Sequence, residues 1–298
     1  MPNEDEDGRA FKKGRGFELA ANLYQQNISK RINAVNEGDL NVEPEEFSRY
    51  VRELLECLFL AKKHRRGIQV CIEICEYLVL RGCDLSIDRH LFLSLAKDSA
   101  VTILELSLHV KEKADREYNR AKRESRELDT PIPDDSFYPD GVDEEILSHL
   151  DGLARKIAEV ADSLSETEAK AQMDYLVPEP KFDEATVANH LSYLEIVRNI
   201  SNKAQYLPLE AFSYEQTGKF KESMQPGDGQ KFVKVAAQLF ERQAIAEGDL
   251  GLDILSRQHY VKAEEFWRLG GDVSRAENAG TMASNLPTPK MRSHVTES

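Results

Sequence analysis

The stretches Ala246-Glu247-Gly248-Asp249-Leu250 and Leu269-Gly270-Gly271-Asp272-Val273 decide the fold. Each closes one amphipathic segment and precedes another. Glycine takes the left-handed conformation that stops a helix, and aspartate accepts from the free N–H groups that open the next one. A chain punctuated in this way is expected to form antiparallel helix pairs. The corners specify an architecture and are silent about an activity.

Working outward, the spacing predicts helices over Lys231–Glu247, Leu252–Leu269 and Val273–Asn285, ended by Pro287 and Pro289. Pro226-Gly227-Asp228-Gly229 marks a break before them, and Val177-Pro178-Glu179-Pro180 an earlier one. Between these breaks a helix is expected from about Asp183, with Val187, Leu191, Leu194, Val197 and Ile200 inward and Pro208 interrupting it. Upstream, Ile146, Leu150, Leu153, Ile157, Val160 and Leu164 alternate steps of four and three, a heptad seam. Ala154, Ala158 and Ala161 flank it. An intramolecular hairpin is the favoured use of this seam, with the charged 111–126 arm as a candidate partner. Homo-oligomerisation through 146–164 is the alternative.

The N-terminal half scans as helix as well. A helix is expected from Phe17 to Glu37, stopped at Gly38-Asp39. Pro44-Glu45-Glu46 opens the next, in which Phe47, Tyr50, Val51, Leu54, Leu55, Leu58 and Phe59 form one face. Its end is read at the basic cluster Lys62-Lys63-His64-Arg65-Arg66 and Gly67. Ile68–Arg81 is apolar on nearly all sides and reads as a central helix stopped by Gly82. From Asp88 the helical pattern continues to Leu128, about 60 Å if unbroken. Three prolines and a glycine in 129–143 then exclude regular structure. The expected organisation is a disordered segment 1–15, a helical domain 16–128, a Pro/Asp-rich loop 129–143, a second helical region 144–286 and a disordered tail 287–298.

Composition narrows the class. With 298 residues, 41% hydrophobic and 31% charged, the chain can bury proper cores beneath a heavily charged surface. Its formal net charge of -14 disfavours nucleic-acid phosphates and anionic membranes and favours basic partners. Met1–Asp7 is acidic and lacks the apolar run of a secretory signal, and no segment reads as membrane-spanning, so a cytoplasmic location is expected. Cys57, Cys71 and Cys75 sit among Leu, Ile, Val and Phe, where free cysteine behaves as a small core residue. Cys71 and Cys75 share a helix face, but no second pair at finger-like spacing supports zinc. The aspartates of 129–143 lie among prolines and read as a solvated acidic loop.

The segment Tyr260-Val261-Lys262-Ala263-Glu264-Glu265-Phe266-Trp267-Arg268-Leu269-Gly270-Gly271-Asp272-Val273-Ser274-Arg275-Ala276-Glu277-Asn278-Ala279 resembles a tetratricopeptide-type (TPR-like) helical hairpin. Ala263, Trp267, Gly271, Ala276 and Ala283 occupy the small and aromatic positions of that family. The resemblance covers about 55 residues of the C-terminal region and implies a stacked hairpin array. Gly248 and Gly271 are 23 residues apart, whereas the family's period is about 34. The corners therefore read as consecutive turns of an irregular array. The fold class expected is all-α: stacked antiparallel hairpins, as a TPR-like array, an irregular α-solenoid or a helical bundle.

Familiar catalytic patterns do not occur. The chain has no Walker loop, dinucleotide fingerprint, Gly-x-Ser-x-Gly elbow or His-Glu-x-x-His, and its seven histidines are scattered. The reading is a non-enzymatic adaptor, scaffold or regulator, with no cofactor and no metal, that holds a peptide or helix of another protein in a groove between hairpins. Tyr260, Trp267 and Arg268 are the candidate contact residues; Trp267 reads equally well as core. Two alternatives remain. One is a nucleic-acid-associated helical protein using Lys62, Lys63, Arg65 and Arg66. The other is an all-α enzyme whose site matches no known motif.

Overall fold

The computed structural model describes residues 4–36, 44–83, 89–127, 138–139, 142–164 and 184–288. Among them there are 11 helices and no strand. They divide into two compact units, Met1–Lys170 and Ala171–Ser298. The first holds α1 (Glu4–Lys13), α2 (Phe17–Asn36), α3 (Pro44–Leu60), α4 (His64–Cys83), α5 (Arg89–Glu127) and α6 (Glu144–Ser163). The second holds α7 (Glu184–Lys203), α8 (Leu207–Met224), α9 (Gln230–Asp249), α10 (Asp253–Leu269) and α11 (Val273–Asn285). In both units each helix packs mainly on its sequence neighbour, with α3 also reaching α5. The all-α hairpin architecture expected from the corners is the one observed. No described helix is long and apolar enough to cross a membrane.

Five corners share one hydrogen-bonding scheme. At 15–16, 62–63, 205–206, 251–252 and 271–272 the second residue's N–H reaches back five residues, as in Gly16→Phe11, Lys63→Leu58, Tyr206→Ser201, Leu252→Glu247 and Asp272→Trp267. The residue before it is left-handed and bonds three residues back, which is the Schellman arrangement. Gly251 (φ 67°) and Gly271 (φ 78°) fill that position in two corners. In the other three it is filled by Arg15, Lys62 and Gln205 at φ 62°, 59° and 53°. Left-handed backbone costs a non-glycine residue about 1 kcal/mol. Gln205→Gly is therefore expected to raise stability by about 1 kcal/mol, measured by urea unfolding; a lower midpoint would contradict the corner geometry.

This scheme corrects two sequence expectations. Gly248 and Asp249 do not turn the chain: α9 runs through both, Gly251 is the left-handed residue, and α10 has no side-chain cap at Leu252. The basic cluster does not close α3 either. The helix stops at Leu60, Lys62 makes the turn, and Arg65 and Arg66 lie in the first turn of α4. Gly67 is buried inside α4, where an added Cβ would stand 3.0 Å from the Phe59 ring.

The expected disorder over 1–15 is corrected as well, since Glu4–Lys13 is helical. A ten-residue helix is marginal alone in water; α1 is held by docking. The Lys12 ammonium sits 2.6 Å from Glu53 and 2.8 Å from Glu56 of α3. The main division also falls later than the 129–143 loop, because α6 packs on α5. Its N-cap Asp143 accepts from the Ile146 N–H at 2.9 Å. Ile146, Leu147, Leu150, Leu153, Ile157 and Val160 are all buried, a gross hydrophobic gain on the order of 10 kcal/mol before chain ordering is subtracted. The heptad seam is thus buried within the unit. Tyr138 extends this contact onto the charged arm, donating to Asp115 at 2.7 Å. The helix from Arg89 to Glu127 is continuous, as its pattern predicts. The Gly38-Asp39 stop, most of the 129–143 loop, the Val177–Pro180 break and the tail from 289 lie outside the described residues.

The four cysteines are buried and free. Cys71 donates to the Ser99 carbonyl at 3.3 Å and Cys75 to that of Ala96 at 3.4 Å, linking α4 to α5. The hydrogen bond with Cys71, together with burial, holds Cys75 well above its ordinary range. Burial pushes the Cys57 thiol up to about 11.

Candidate functional site

The α9–α11 segment carries the contact residues proposed from sequence. Its core is small and aromatic side chains: Ala236, Ala237, Phe240, Ala263, Phe266 and Trp267, closed by Ala276, Ala279 and Ala283. Alanine on facing helices permits close approach, and the aromatic rings fill what remains. Phe240 and Phe266 stack with centroids 5.5 Å apart. The outer positions of α11, from Ser274 through Asn278 to Ser284, are exposed and largely polar. A helix with an alanine inner face and a polar outer face is suited to end a stack.

Trp267 is a core residue here, 1% exposed. Its Nε1–H donates to Glu241 at 2.9 Å, and the Arg275 guanidinium lies 4.7 Å from the ring centroid. Tyr260 is buried too, and burial, with Glu241 and Asp249 nearby, raises its hydroxyl above the usual range. Neither ring presents a face for a partner in this conformation. Arg268 is exposed and pairs along its own helix with Glu264, at 2.7 Å from Nη2.

What the surface does present is the α10–α11 corner. Leu269 is 54% and Val273 57% exposed, on either side of the turn made by Gly271 and Asp272. Asp272 caps α11 by accepting from the Arg275 N–H at 3.2 Å. The stem of Lys234 lies against Gly270 from the α9 side. Leu269 and Val273 are therefore two exposed apolar side chains flanking the corner, with Arg268 next to Leu269 in sequence, on a backbone fixed at both ends. Sequence reasoning identified Arg268 but passed over Leu269 and Val273, because a corner apolar residue looks like one more core position.

A buried polar link fastens α9 to α10 nearer the other end of α10. Glu247 Oε2 lies 2.7 Å from His259 Nδ1, and Gln243 donates to the other carboxylate oxygen at 3.0 Å. Ser256 donates to the Ala244 carbonyl at 2.7 Å. Glu247 and His259 were legible in sequence only as a corner acid and one scattered histidine.

The other sequence-proposed set lies at the α3–α4 corner. Lys63 approaches Glu18 at 3.7 Å and Arg66 donates to Gln25 at 3.4 Å, both on α2. Lys62 and Lys63 lie in the turn, and Arg65 and Arg66 in the first turn of α4. Scans against family models, curated proteins and solved structures each return no match for this chain.

Proposed function

We infer that this chain is a non-enzymatic binding module that holds a helix or peptide of another protein against the α10–α11 corner. The supporting observation is the pair Leu269 and Val273, both more than half exposed on a turn whose backbone is fixed by Gly271 and the Asp272 cap. Apolar side chains displayed on a rigid element suit a contact, because little conformational entropy is lost on binding. Arg268 supplies the polar rim that interfaces place around such a centre. The TPR-like resemblance of 260–279 supports the same reading, with the contact shifted from Tyr260 and Trp267 to the corner.

The test is co-purification of the full chain from its host beside the Leu269→Asp/Val273→Asp variant. The variant is expected to keep the wild-type unfolding midpoint, since both side chains already face water, and to lose at least tenfold in recovered partner. Equal recovery with both proteins would remove the corner from the function. The nucleic-acid reading is tested by the same material: retention on an immobilised oligonucleotide at low salt, lost when Lys62, Lys63, Arg65 and Arg66 become Glu, would favour it.

A further inference from the structure

A second site lies on the same unit, around Phe232. Three cations converge on that one ring: Arg198 at 5.7 Å, Lys221 at 5.4 Å and Lys231 at 5.1 Å from its centroid. Arg198 also covers Tyr214 at 4.3 Å, and the two rings pack with centroids 6.4 Å apart. The cations come from three helices, α7, α8 and α9. With 53 acidic residues against 39 basic ones, a cation in this chain is seldom far from a carboxylate. Yet among the described residues none of these three has a carboxylate within ion-pair distance. Arg198 donates to the Thr217 hydroxyl at 2.8 Å, and its Nε–H is buried without an acceptor. The nearest acid in sequence, Glu222, is engaged elsewhere, accepting from the backbone N–H groups of Gly227 at 2.9 Å and Gly229 at 3.1 Å. The first turn of α9 carries no acid of its own, and Glu222 meets the N-terminal end of that helix at Gly229.

We propose that Arg198, Lys221 and Lys231 form a docking site for an acidic segment of a partner protein. Like charges gathered on an aromatic floor, with no carboxylate paired to them among the described residues, are complementary to a run of carboxylates. The sign is opposite to the chain's net charge, so the site selects locally against the overall field. Lys231 is exposed and Lys221 half-buried. An open surface of this kind is screened by water and gains most from a ligand that offers several charges at once. Nucleic acid fits less well: the cations already lie over the ring faces on which bases would stack. The proposal rests on the binding-module reading and names the chemistry of one segment of the partner.

The test is fluorescence anisotropy with a labelled polyglutamate peptide and, in parallel, a labelled oligothymidylate. The full chain is compared with Lys221→Gln/Lys231→Gln and with Arg198→Lys. The peptide is expected to bind at low ionic strength and weaken as salt is added. The double glutamine variant is expected to bind about fivefold more weakly, the size of two exposed charge pairs, while Arg198→Lys keeps most of the affinity. Both lysines sit at the surface, so the double variant should fold; its unfolding midpoint checks this. Absence of peptide binding, unchanged binding by the double variant, or tighter binding of the oligothymidylate would each overturn the proposal. The probe is synthetic and does not touch the corner. Its failure leaves the α10–α11 reading standing, and loss of partner only in Leu269→Asp/Val273→Asp would not rescue it.

Discussion

Trp267→Ala is expected to destabilise the second unit by about 3–5 kcal/mol. The ring is 1% exposed and shares its core with Ala211, Ala236, Ala263 and Ala276. Alanines have no rotamers with which to fill a vacated volume, so the cavity would persist and carry its full cost. Glu241 would lose its indole donor and Arg275 the ring beneath it. Trp267→Phe separates these terms: it keeps most of the volume and drops the hydrogen bond, for a loss of about 1 kcal/mol. Urea unfolding followed by circular dichroism measures both variants. Because this is the only tryptophan, its fluorescence in the wild type reports the same core directly. A Trp267→Ala loss below about 1 kcal/mol would place the ring at the surface and restore it as a contact residue.

Gly229→Ala is expected to cost about 3 kcal/mol. An added Cβ would fall inside contact distance of the Gly218 carbonyl oxygen, 2.9 Å from Glu222 Cβ and 3.0 Å from the Glu222 nitrogen. These are backbone and near-backbone atoms of α8, and they cannot rotate away. Gly218 is equally constrained, since its added Cβ would stand 2.7 Å from Val233 Cγ2 and 3.1 Å from the Val233 nitrogen. Relief would require opening the α8–α9 connection and pulling Glu222 off the amides it caps. Gly227→Ala is the control. Its φ of 96° is unfavourable to a side chain, but nothing stands within 4 Å, so the loss should stay near 1 kcal/mol. Equal losses at Gly227 and Gly229 would show that backbone conformation, not the close approach of α8, governs the site.

The second unit was the more legible in sequence. The helix ends at Leu269 and Asn285 and the corner at Gly271-Asp272 agree with what glycine, aspartate and proline require locally. The other corners were harder because their left-handed residues are Arg15, Lys62 and Gln205, which carry no turn signal. There the tertiary contacts on both sides outweigh a local preference of about 1 kcal/mol. Gly248-Asp249 misled for the reverse reason, being good turn residues inside a helix that neighbouring contacts prolong. The α1 helix was hidden because its stability comes from Lys12 meeting Glu53 and Glu56 across more than forty residues of sequence. Periodicity showed the 146–164 seam but could not say which helix it faces. The corner surface was illegible because periodicity assigns Leu269 and Val273 to a face without reporting how much water reaches them.

The central claim is that a partner protein is held at the α10–α11 corner. It is tested most directly by crosslinking the full chain in its host and mapping the crosslinked lysines by mass spectrometry. Lys234, whose stem lies against Gly270, is predicted to be the main site joined to partner peptides, with that crosslink missing from Leu269→Asp/Val273→Asp. Partner crosslinks confined to lysines of the first unit, or a Lys234 crosslink that survives the corner variant, would contradict the account.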